Sequence, residues 1–138
     1  MNLHSSLNSV IGLALLSLSV IGTTANAQLT EQIGEMEFTR HCAACHGLSA
    51  KGDGAVANML TTSPPDLTQL SKKNDGHFPF FKIQEIIDGS QTILAHGNKE
   101  MPVWGERFSE QTGGPAVATT VRGRIFEVLV YLNSIQEK

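Results

Sequence analysis

The chain has 138 residues, is 41% hydrophobic and 17% charged, and carries a formal net charge of −3. That suits one small globular domain and argues against nucleic-acid binding, which needs a basic patch or stripe. Both of its cysteines fall in one short motif, which argues against the disulfide framework of many small exported domains.

The N-terminus reads as an export signal. Val10 to Gly22 is apolar, and Ala25-Asn26-Ala27 has the small-residue cleavage pattern. The n-region, MNLHSSLNS, lacks Lys and Arg. An uncleaved anchor is the competing reading, but the run is shorter than the ~20 residues a spanning helix needs. The expectation is a signal peptide over residues 1–27 and one domain over residues 28–138, placed in the periplasm.

Thr30 to Ala44 reads as a helix, with Thr30 as its cap and Glu31 and Glu35 near the positive end of its dipole. Ile33, Met36 and Phe38 begin its apolar face, with Glu37 turned outward. Gly34 costs about 1 kcal/mol against Ala in a helix interior, so it makes sense where another helix crosses closely. Cys42-Ala43-Ala44-Cys45-His46 follows. Two thiols three positions apart lie on one side of a helical turn, and an imidazole comes directly after the second. That is the spacing for two thioether bonds to one porphyrin, with His46 under the iron as proximal ligand. A thioredoxin-like pair needs strands alternating with helices, and a zinc site needs a second ligand pair; this sequence offers neither.

Gly47 to Gly54 is a loop, and its Lys51-Gly52-Asp53-Gly54 is a turn rather than a calcium site. Ala55 to Leu60 forms a short helix with Met59 as buried filler. Thr61 to Pro65 is extended. A proline carbonyl there either accepts the His46 Nδ1–H or simply turns the chain. Asp66-Leu67-Thr68-Gln69 opens a short helix through Ser71 or Lys72. Asn74-Asp75-Gly76 turns the chain into a helix that starts near Phe78-Pro79, buries Phe80, Ile83, Ile86 and Ile87, and stops at Gly89.

Ser90 to Val103 has no periodicity and reads as a long loop of the kind that often carries function. Gly113-Gly114-Pro115 separates it from a last helix, about Ala118 to Gln136, with Val121, Ile125, Val128, Leu129 and Leu132 on one face. The second axial ligand is open among Met36, Met59, Met101, His77 and His96; His41 is too close to Cys42 to reach the opposite face. Met101 ranks first, because its loop can carry a thioether over the iron and Pro102 stiffens it; His96 ranks second. No role is assigned to His77.

Gly34-x-x-x-Phe38-x-x-x-Cys42-Ala43-Ala44-Cys45-His46-Gly47, Pro64-Pro65-Asp66-Leu67, Met101-Pro102-Val103-Trp104-Gly105 and Val128-x-x-Tyr131-Leu132 together resemble the class I (monohaem) bacterial c-type cytochromes. The resemblance covers nearly the whole of the exported part. It implies an all-α cytochrome c fold, in which N- and C-terminal helices cross and shorter helices and loops wrap one covalent haem c. It implies Gly34 and Phe38 against Val128, Tyr131 and Leu132, His46 and Met101 as axial ligands, and Pro64 as the carbonyl partner of the His46 ring. Trp104 either reaches a haem propionate or packs. The function implied is one-electron transfer without catalysis or a small-molecule substrate, with redox proteins as partners: a dehydrogenase, a cytochrome bc1-type complex or a terminal oxidase. The alternatives are a haem subunit of a dehydrogenase or oxidase complex, and a ligand-sensing cytochrome.

Overall fold

The computed structural model describes residues 25–90, 101–114 and 117–137. Apart from residues 25–27, the expected signal peptide lies outside them. Helix α1 covers residues 25–41. Thr30 is therefore inside a helix and not its cap: its hydroxyl donates back to the Asn26 carbonyl at 3.0 Å, the usual alternative bond of a mid-helix threonine. After a turn at Cys42, α2 spans Ala43–His46. Three 3₁₀ turns follow, at Ala57–Met59, Leu67–Gln69 and Lys72–Asn74. Helices α3 (Phe80–Asp88), α4 (Trp104–Thr112) and α5 (Val117–Ser134) complete the chain. No strand occurs among the described residues, and the fold is all-α.

α1 and α5 cross at Gly34. A Cβ there would overlap the Glu127 carbonyl oxygen and lie 3.0 Å from the Tyr131 Cβ. Only glycine allows this approach. One turn on, Phe38 is buried with its ring 5.3 Å from that of Tyr131, and Ile125, Val128, Leu129 and Leu132 fill the α5 side. The outward-inward assignment on α1 needs correcting. Met36 is 59% exposed, whereas Glu37 turns inward. Arg124 of α5 donates to Glu37 Oε2 from Nε at 3.0 Å and from Nη2 at 2.7 Å. This two-pronged pair meets the requirement that an inward charge be paired.

The expected helix through Ser71 is two 3₁₀ turns. Asp66 caps the first by accepting from the Thr68 N–H at 2.9 Å, and that bond with the Thr68 hydroxyl holds its carboxyl below the usual carboxylate range. The end of α5 straps this segment down. Gln136 accepts from the Ser71 N–H at 2.8 Å and donates to the Leu67 carbonyl at 2.8 Å. Pro79 precedes α3, and Gly89 ends it with φ of 85° and its N–H on the Glu85 carbonyl, as expected of a left-handed C-cap.

Helix α4 was not foreseen in the sequence. Its first turn lies against the end of α3: a Cβ on Gly105 would be 2.6 Å from the Asp88 carbonyl oxygen, and one on Gly89 would overlap the Val103 side chain. The chain thus leaves at Gly89 and returns at Val103 in contact with itself, and Met101 sits two residues before that closure.

Candidate functional site

α2 is one turn long, so nearly all its carbonyls lack helical partners. The loop after it supplies them. Gly47 N–H bonds Ala43 O at 2.9 Å, Val56 N–H bonds Ala44 O at 3.0 Å, Gly54 N–H bonds Cys45 O at 3.1 Å, and Gly52 N–H bonds His46 O at 2.8 Å. Gly47 and Gly52 have φ of 78° and 82°, and a Cβ on Gly52 would overlap the Pro64 carbonyl oxygen. The loop that looked like an incidental turn therefore clamps the attachment motif, carbonyl by carbonyl, and seats it against Pro64.

The motif opens onto an apolar cleft of about 330 Å³. Its lining includes Cys42, Cys45 and His46, the apolar Leu67, Leu70, Ile83 and Ile87, Met101 and Trp104, and Phe38, Val128 and Leu132 from the helix crossing. His46 is buried, at 8% exposure. Cys42 and Cys45 form no disulfide. Burial, with Glu37 and Cys45 nearby, pushes the Cys42 thiol up to about 12. A reactive thiol requires the opposite shift. Among the described residues no group of three or more His, Cys, Asp or Glu comes together to hold a metal by itself.

The structure separates the candidates for the second axial position. Met36 points to solvent, and Met59 is 81% exposed; the latter was expected to be buried filler, but a 3₁₀ turn after the clamp loop leaves it on the outside. His77 is exposed. His96 lies outside the described residues. Of the candidates among the described residues, Met101 is the one that lines the cleft.

His41 also lines the cleft, which its place beside Cys42 did not announce. Its ring stands edge-on to Trp104 and Phe108, both at 5.3 Å, and its Nε2 lies 3.1 Å from Arg124 Nη2. Arg124 can only donate, so Nε2 accepts and the imidazole is neutral. Burial, the largest influence, lowers the His41 pKa; Glu37, 3.7 Å away, opposes this, while Arg124 and Arg40 reinforce it. Glu37 at i and His41 at i+4 was the sequence signal for this cluster; its third member, Arg124, lies 83 positions beyond His41 and left none. Trp104 is buried in the same aromatic group, with the Arg107 guanidinium 5.5 Å from its ring centre, and also lines the cleft.

An apolar cleft whose lining holds two free thiols, a buried imidazole and a thioether from a separate segment fits a covalently attached haem. Such residues would offer sulfur to the vinyl groups, nitrogen and sulfur to the iron, and hydrocarbon to the macrocycle. Among the described residues no helix is long and apolar enough to cross a membrane. Comparison with curated proteins and with solved structures gives no match. Residues 30–117 match the family described as cytochrome C oxidase, cbb3-type, subunit III; the chain belongs to that family, as a c-type cytochrome with covalently bound haem c and a role in electron transfer.

Proposed function

We propose that the protein is an exported, periplasmic one-electron carrier, with residues 1–27 as its signal peptide and residues 28–138 as the cytochrome domain. Cys42 and Cys45 hold the haem by thioether bonds, and His46 and Met101 bind the iron. The observation that supports this most is that these four side chains line one apolar cleft, although Met101 is 55 residues from His46 in the chain. The haem supplies the one-electron couple. The chain's own residues orient the imidazole, keep water away from the macrocycle and bias the iron toward its reduced state through a sulfur ligand. With His46 and Met101 both holding the iron, the group would take up and release single electrons without binding a substrate, through a brief, small contact with a redox partner. Met101→Ala is expected to abolish the weak charge-transfer absorption of sulfur-ligated ferric haem and to lower the midpoint potential. An unchanged ferric spectrum assigns the position to another residue, His96 first.

One observation favours a second reading, a permanent haem subunit of a dehydrogenase or oxidase. Phe81 is 78% and Phe126 51% exposed. Both pack on Phe80, at ring distances of 6.0 Å and 5.7 Å, and so form a contiguous aromatic patch of the kind that marks interaction surfaces. The family description itself names an oxidase subunit. Gel filtration of native extract distinguishes the two: a carrier elutes as a small monomer, a subunit in a large complex that retains haem.

A further inference from the structure

The charged groups of the cleft are distributed unevenly. Among the described lining residues, Lys73 and Lys82 are the ammonium-bearing ones, and no carboxylate lines the cleft, even though acidic residues outnumber Lys and Arg by 13 to 10 in the whole chain. Lys73 comes from the 3₁₀ turn Lys72–Asn74 and Lys82 from the first turn of α3. Both are exposed. Two separate elements thus bring long cationic side chains to a cavity that is otherwise apolar. An apolar ligand alone gives no reason for cations there. A ligand with an apolar body and two carboxylates does, and haem carries its two propionates on one edge.

We propose that Lys73 and Lys82 anchor the two haem propionates at the mouth of the cleft. This rests on the haem reading of the cleft and adds which of the chain's residues orient the haem's polar edge. The lysine stems lie along apolar lining while their heads stay at the solvent boundary, and each head forms a charge-assisted bond with a carboxylate. The cations also oppose a further positive charge on the iron and so favour the reduced state.

The other charged groups nearby have assigned partners. Asp66 takes bonds from Thr68 and feels Lys51 and Lys73. Lys51 pairs with Glu137 at 3.2 Å. His41 is held by Arg124, which also binds Glu37. Lys72 adjoins Lys73 but does not line the cleft, which makes it the internal control.

The test is a potentiometric titration of the haem-loaded protein over a range of pH, for Lys73→Gln, Lys82→Gln, the double variant and Lys72→Gln. The absorption spectrum confirms in each case that haem is attached, so failure of attachment in the wild type counts against the proposed function and not against the lysines. The pH at which the potential responds to propionate ionisation is expected to move up by about one unit when a lysine is lost, and further in the double variant. The midpoint potential in the ionised range falls. Both effects shrink at high salt, as for any exposed pair. Lys73→Arg and Lys82→Arg retain wild-type values, and His41→Gln leaves the lysine-dependent shift in place. Equal effects from Lys72→Gln and Lys73→Gln, or no shift in the double variant, overturn the proposal.

Discussion

The crossing of α1 and α5 and the cleft beside it are made from the same two helices by opposite means. At Gly34 the sequence removes a side chain so that the Glu127 backbone comes into contact, and the space is closed by protein alone. One turn on, Phe38, Val128 and Leu132, themselves buried, turn part of their surface to a cleft whose lining also includes the half-exposed Leu67, Leu70, Ile86 and Met101. The first region satisfies itself; the second is complementary to something flat and apolar that the chain does not encode. The difference teaches where stability resides. The crossing sets the angle between the walls and buries part of them, but full burial of Leu67, Leu70, Ile86 and Met101 depends on the prosthetic group.

The largest expected effect comes from breaking that dependence. Protein expressed with Cys42→Ser and Cys45→Ser is expected to carry no covalent haem and to lose most of its helical circular dichroism, because binding to the folded state alone is what sustains it. Native helix content without haem would mean that the crossing is stable by itself.

A smaller effect sharpens the other side. Gly34→Ala improves helix propensity by about 1 kcal/mol, yet its Cβ would strike backbone rather than a flexible side-chain tip. A net destabilisation of ~1–3 kcal/mol is expected, as for overpacked cores, read as a lower denaturation midpoint of the haem-loaded protein. A gain in stability would show that the helices are free to move apart.

The smallest effect lies between the two regions, at His41. Burial lowers its pKa in the fold, so as the pH falls below about 6.5 the unfolded chain takes up this proton before the folded one. Stability is thus expected to decline from there down to the folded value. Urea midpoints at neutral and mildly acid pH should differ less in His41→Gln than in the wild type. An identical decline in both places the titration elsewhere, for instance at Asp66, whose carboxyl the fold holds below its usual range, first through the Thr68 hydroxyl.

Much of this was legible in the sequence because it depends on short spacing. The attachment motif, the glycine-to-phenylalanine interval on α1, the Gly89 stop and the apolar register of α5 are local patterns, and each appears in the structure within a residue or two. The misreadings share one cause. Met36 and Glu37 exchanged faces because the partner that makes an inward carboxylate tolerable is Arg124, 87 positions away. Thr30 reads as a cap because caps are local and nothing local shows that the helix already covers residues 25–29. α4 was missed because its sequence, WGERFSEQT, is mostly polar; it buries only Trp104 and Phe108, and its place depends on Gly105 meeting Asp88.

By itself, then, the sequence determined the chemistry of this protein: two thiols and an imidazole at fixed spacing, which covalent geometry turns into a haem-attachment turn. Only the tertiary structure decided what surrounds that turn. It put Met101 in the lining of the cleft and left Met36 and Met59 exposed, with the chain closing on itself at Gly89 and Val103 just after Met101. It turned an ordinary glycine-rich loop into the clamp on the motif's carbonyls. It brought Lys73 and Lys82 to one apolar cavity. Each of these is a contact between separate segments, near or far in the chain, where the outcome depends on which surfaces are brought together and not on the pattern within either one.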